Sequence, residues 1–220
     1  MKNGWIAAIL ALFVVAGLSA EIGDILAQTT TVEFVNDTGY DIYHLFFSPA
    51  DSEYWGPDIF DSTTVLETGQ SREFLVHHPD RCNAFDFMAI DEDNDAYYIY
   101  ETVVCDDQHN VIELTLEDYS GESAPDFDLV EAGFVNDTPY EMWLVFISPS
   151  DSSYFGVDFL GSSTILGTGE GVYMYVPAGS TEIVYDIITF DQDGDQYVFQ
   201  VGIDNSTDSM TWPIEMSDLQ

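Results

Sequence analysis

Basic side chains are almost missing from this chain. Lys2, Arg72 and Arg81 are its only lysine and arginine residues, set against 41 acids in 220 residues, for a formal net charge of -38. Such a surface repels DNA, RNA and anionic lipid, so nucleic-acid binding is excluded and an anionic membrane is an unfavourable partner. Cysteine is scarce: Cys82 and Cys105 are the two present. Their spacing suits neither a zinc site nor a redox motif, and in an exported chain an even pair reads as a structural disulfide. No Gly-x-Ser-x-Gly elbow, phosphate loop or dinucleotide fingerprint occurs, which removes the enzyme classes built on them. After the first twenty residues no apolar run approaches the roughly 20 residues that span a bilayer.

That early run, Trp5 to Leu18 behind Lys2 and ahead of Leu18-Ser19-Ala20, is read as a signal peptide over 1–20, with cleavage as late as Ala27 as the alternative. The chain is then secreted, periplasmic or at the cell surface. Apolar residues make up 46% and aromatics 15% of the sequence, too rich for a disordered acidic chain and sufficient for packed cores.

The strongest pattern is internal. Shifted by 100 residues, Phe34–Phe60 aligns without a gap on Phe134–Leu160 with 14 identities in 27 positions. Thr68-Gly69 then meets Thr168-Gly169, and Asp91-Glu92-Asp93-Asn94-Asp95 meets Asp191-Gln192-Asp193-Gly194-Asp195. Two copies at this period imply two tandem domains rather than a solenoid: 30–117 and 130–217, joined by an acidic linker at 118–129. Within each copy, β-branched and aromatic runs alternate with turn residues and show no helical period. The expected class is all-β, two tandem antiparallel β-sandwiches, C2-like or immunoglobulin-like in outline. A two-residue hairpin turn at Asp93-Asn94 and Asp193-Gly194 would set Ile90 opposite Tyr97 and Cys82 opposite Cys105.

Three constellations are candidates for chemistry. The alternate aspartates Asp91, Asp93 and Asp95, with Asp191, Asp193 and Asp195, resemble a calcium loop, because a tight turn can aim several oxygens at one hard cation. Asp51 and Asp58, with Asp151 and Asp158, form a second acidic loop that could share calcium with the first. The competing reading of all ten is that acids populate solvated turns. Trp55 and Phe155, each beside a glycine, are candidates for stacking on a sugar or a partner. Asp86 and Asp186 stand within otherwise apolar strands, where a carboxylate is costly unless bonded. His44, His77, His78 and His109 have no histidine counterparts in the second copy and are read as incidental. Asn36, Asn136 and Asn205 begin glycosylation triplets, but Asn-Asp-Thr before Gly39 or Pro139 is also turn chemistry, and the turn is the preferred reading.

Asn36-Asp37-Thr38-Gly39-Tyr40, Ser48-Pro49, Tyr54-Trp55-Gly56-Pro57-Asp58 and Asp91-Glu92-Asp93-Asn94-Asp95 together resemble a largely uncharacterised family of small exported bacterial β-sandwich proteins. The resemblance covers both copies and implies export and fold, not an activity; the second copy departs from it by lacking the cysteines and by having Phe155 in place of Trp55. The expectation is a secreted or cell-surface acidic binding or structural module without catalysis, with calcium as its candidate cofactor and an extracellular protein or glycan as its partner. The alternatives are an extracellular enzyme acting on polysaccharide and a self-assembling surface subunit.

Overall fold

Residues 25–60, 64–77, 80–106, 108–161 and 164–220 are described by the computed structural model; the expected leader at 1–20, and His78, lie outside them. Alternation builds the strands. In β1 (Thr29–Asp37), Val32, Phe34 and Asn36 turn inward while Thr31 and Asp37 are exposed, the period-two pattern of a strand with one wet face. There follow β2 (Ile42–Pro49), β3 (Ser71–His77), β4 (Cys82–Asp91), β5 (Asp95–Cys105), β6 (Asn110–Thr115) and β7 (Tyr119–Ser123). The second half contains β8 (Asp128–Asn136), β9 (Met142–Pro149), β10 (Gly156–Val157), β11 (Gly171–Ala178), β12 (Ile183–Asp191), β13 (Gln196–Ile203) and β14 (Ser209–Ile214).

The architecture is an all-β sandwich. In the first half, β3-β1-β6 faces β2-β4-β5-β7, with β1 antiparallel to β3 and parallel to β6. In the second half β11-β8-β14 faces β13-β12-β9. Pairings recur at the sequence offset of 100: Val32 opposite Phe74 becomes Ala132 opposite Met174, and Leu45 opposite Ala89 becomes Val145 opposite Thr189. Between the sheets, Val32, Phe34 and Phe74 meet Leu45, Phe47 and Phe87. Each such fully buried side chain contributes about 1.5–3 kcal/mol.

The halves lend each other backbone. Gly156 and Val157 of β10 pair with His77 and Val76 of β3, extending the first half's sheet. The Asp158 N–H donates to the Leu75 carbonyl at 2.9 Å, and reciprocally the Asp58 N–H donates to the Tyr175 carbonyl at 2.7 Å. Tyr154 and Val157 are buried in the first half's core, and the Tyr154 hydroxyl donates to the Ala84 carbonyl at 2.6 Å. The segment expected as a linker is also built in. Tyr119–Ser123 pairs with the edge of β5, while Ala124, Phe127 and Leu129 pack on Phe46, Met88 and Ile90. Its polar composition suits a tether, but the edge strand supplies backbone partners that composition does not reveal.

Candidate functional site

The β4–β5 hairpin carries the first correction to the sequence reading. Ile90 pairs with Ala96, not Tyr97, because the tip is a three-residue loop: the Asn94 N–H donates to the Asp91 carbonyl at 3.1 Å, and Asn94 takes the left-handed conformation at φ 64°. Asn and Gly fit that position, which favours them for this loop as much as for the two-residue turn. Cys82 nevertheless pairs with Cys105, and the two form a disulfide. A β-bulge restores the register: Phe87 pairs with Ile99 and Phe85 with Thr102, so Tyr100 and Glu101 both stand opposite Asp86. Glu101 adopts φ 54°, which costs a non-glycine residue about 1–2 kcal/mol, and its N–H donates to Asp86 Oδ1 at 2.7 Å. The second half has no bulge here; Asp186 pairs with Gln200 and accepts from its Nε2 at 2.7 Å.

The ten aspartates proposed as metal ligands do not assemble into one kind of site. Asp91 is buried, with Oδ1 accepting from the Asp93 and Asp95 N–H groups at 3.0 and 2.9 Å and Oδ2 accepting from the Tyr97 hydroxyl at 3.0 Å. Asp191 repeats this with Asp193, Asp195 and Tyr197. These carboxylates organise their own turns, and burial with the adjacent carboxylate keeps each tyrosine protonated. Asp51 and Asp151 clasp the halves together. Asp51 accepts from Ser152 Oγ at 2.9 Å and from the Ser153 N–H and Oγ at 3.1 and 2.7 Å, and Asp151 accepts from Ser52 Oγ and the Glu53 N–H, both at 2.8 Å. The two acidic loops are also apart. Ile42 at one end of β2 pairs with Asp91, whereas the Asp51 loop leaves beyond Pro49, roughly 23 Å along the strand. Among the described residues no group of three or more His, Cys, Asp or Glu side chains is arranged to hold a metal ion.

Asp58 and Asp158 are buried beside β2 and β9. Oδ1 of Asp58 accepts from the Leu45 and Phe60 N–H groups, and Oδ2 meets His44 Nδ1 at 2.7 Å. Burial pushes its carboxyl up and the His44 contact opposes the rise. His44 is therefore not incidental. In the second half Leu144 occupies the matching position, Asp158 Oδ1 accepts from the Val145 and Leu160 N–H groups, and Oδ2 is buried without a partner. Burial pushes Asp158 up to about 7. Asn36 and Asn136 are fully buried, and each amide nitrogen donates to two carbonyls, of Tyr40 and Leu66 or of Tyr140 and Leu166. They are turn anchors enclosed by the folded chain.

An aromatic constellation lies on the outer face of the β4–β5 hairpin, with Trp55 and Tyr98 half-buried against Phe46, Met88 and Ile90. The Trp55 ring lies 6.1 Å from Tyr98 and 6.4 Å from Tyr100, and the two tyrosine rings are 5.6 Å apart and parallel within 4°. Tyr100 is 60% exposed. Asp86, half-buried at its base, is pushed up by burial and by the charge of Glu101, with the Glu101 N–H opposing. Burial also raises both tyrosines, reinforced for Tyr98 by Tyr100 and Glu122 and for Tyr100 by Asp86. Phe155, proposed as the counterpart of Trp55, instead stacks on His77 at 4.3 Å within the interface of the halves. Val198 and Gln200 occupy the tyrosine positions there, so the patch is unique to the first half. Tyr98 and Tyr100 were missed because alternation marks them only as outward-facing. The signal was the contrast between Tyr98-Ile99-Tyr100 and Val198-Phe199-Gln200. No protein-family model and no curated protein matches the chain, so the resemblance rests on its motifs alone.

Proposed function

We propose that the protein is an exported binding module whose contact surface is the Trp55–Tyr98–Tyr100 patch, with the second half bracing it. The observation that carries this reading is where the halves diverge. Strand pairing, turn anchors and the interface clasp follow the 100-residue offset, whereas the three rings, the bulge and the disulfide occur in the first half alone. Bulges re-aim side chains, and strain at an otherwise regular hairpin is retained where the local geometry is used. The disulfide fits an oxidising compartment, and no helix among the described residues is long and apolar enough to cross a membrane. The acidic surface suits concentrated salt, where screening relieves self-repulsion.

Co-sedimentation with the envelope of the exporting cells tests the reading. The wild-type protein is expected to bind and the Tyr100→Ala variant to remain in solution. Equal binding of the two, with unchanged melting curves, refutes it.

A further inference from the structure

Resting on that reading, we infer that the patch binds an uncharged glycan, one sugar ring stacking on the exposed face of Tyr100 while Asp86 at its base accepts a sugar hydroxyl. Three aspects of the geometry select this chemistry. An exposed aromatic face takes the C–H face of a pyranose, burying apolar surface on both partners. The groups around it are of both hydrogen-bonding kinds, the Tyr98 and Tyr100 hydroxyls as donors and the carboxylates of Asp86 and Glu122 as acceptors, which matches a polyol. Asp86 spends Oδ1 on the Glu101 N–H, and its other oxygen has no bond within the chain among the described residues. The bulge therefore fixes that carboxylate while leaving an acceptor open beside the ring.

Charge narrows the class further. Asp86, Glu101 and Glu122 around the rings, on a chain of net charge -38, repel uronates, sulfated sugars and other anionic polymers. A cationic peptide is the competing ligand, because aromatic faces attract cations. Two considerations favour the neutral sugar. Asp86 already commits Oδ1 to the Glu101 N–H, which leaves one oxygen for a sugar hydroxyl rather than the open pair that a bidentate guanidinium takes. In concentrated salt the screening length falls to about 3 Å, so ion pairing fades while stacking and directional hydrogen bonds persist.

The test is a titration of the intact protein in about 0.1 M sodium chloride, where charges act over about 10 Å, repeated at about 1 M. The probes are short neutral gluco-, manno- and galacto-oligosaccharides, a uronic-acid oligosaccharide and a tri-arginine peptide, followed by tyrosine ring NMR signals and calorimetry. At least one neutral oligosaccharide is expected to bind saturably at both salt concentrations, while the uronate does not bind at the lower one. Tyr100→Ala should weaken that binding about three- to tenfold, Tyr100→Phe should retain the stacking share, and Gln200→Ala at the matching site should change nothing. Because Tyr100 is largely exposed, unchanged melting curves will separate lost binding from lost fold. Tyr100-dependent binding of the arginine peptide with no neutral sugar bound overturns the glycan assignment but keeps the patch as a binding surface. Sugar binding indifferent to Tyr100→Ala overturns the location, and no Tyr100-dependent ligand at all overturns both.

Discussion

Replacing Asp158 with asparagine removes a buried ionisable group while keeping its shape and the oxygen that accepts from the Val145 and Leu160 N–H groups. In the folded chain this carboxyl rises from 3.8 to about 7, because burial is offset only by backbone hydrogen bonds; unfolded, it returns to its ordinary value. A folded value above the unfolded one means that the native state binds the proton more tightly. The stability it contributes is complete below the unfolded value and is lost as pH climbs through the folded one. At 1.36 kcal/mol per pH unit the interval corresponds to about 4 kcal/mol. The assay is urea denaturation from about pH 4 to about pH 8 at constant high ionic strength, comparing wild type with Asp158→Asn. Differencing cancels the repulsion among the many other acids. The variant should match or trail the wild type in acid and exceed it by up to about 4 kcal/mol at the alkaline end. Leu144→His, which restores the partner that His44 gives Asp58, should also flatten the slope, although loss of leucine packing against Phe146, Ile188 and Phe190 costs about 2 kcal/mol at every pH. A stability difference between wild type and Asp158→Asn that stays constant across pH refutes the reasoning.

Glu101→Gly should raise the unfolding midpoint, worth about 1 kcal/mol, since glycine adopts φ 54° freely; a lowered midpoint in calorimetry would show that the bulge is unstrained. The Cys82→Ala, Cys105→Ala pair should lose about 2–4 kcal/mol in denaturant titration through the loop closed across 23 positions, and no loss would leave the staple without a role in stability. The melting temperature should rise steeply between about 0.1 and 1 M sodium chloride as the screening length shrinks from about 10 to 3 Å. Calcium at equal ionic strength should add no saturable step, and such a step abolished by Asp93→Asn would restore a metal site at the hairpin tip.

Periodicity made the strands legible: the β-branched and aromatic runs of the sequence fold as strands such as Cys82–Asp91 and Asp95–Cys105. The disulfide was legible by a cancellation. The turn is one residue longer than the two-residue type, and the bulge at Glu101 takes up that residue before the cysteines are reached. Sequence spacing reports the sum of two irregularities and neither one separately. The exchange of loops between halves left no such trace, because a strand edge that accepts Gly156 and Val157 has the same alternation as one facing water. The acidic turns are ambiguous for a related reason. A carboxylate that accepts backbone N–H groups within a tight turn requires the same short acidic side chain at the same spacing as one that holds a cation.

In a duplicated chain, residues common to both copies are where a duplicated function would lie. The structure gives those common residues a different occupation. Asn36 and Asn136 tie turns, Asp91 and Asp191 close hairpins, Asp51 and Asp151 join the halves, and Asp58 and Asp158 accept from strand backbones. These bonds account for why the two halves agree at these positions, since each removes an unsatisfied buried or interfacial group. Once the common set is occupied in this way, the divergent set stands out. Among the described residues, the side chains of Tyr98, Tyr100, Trp55 and the bulged Glu101 make no hydrogen bond to a buried backbone group, and the second half folds with Val198, Gln200 and Phe155 in place of the three rings. An exposed ring beside a strained residue, dispensable to the fold in one copy and kept in the other, is the arrangement expected of a surface used for contact.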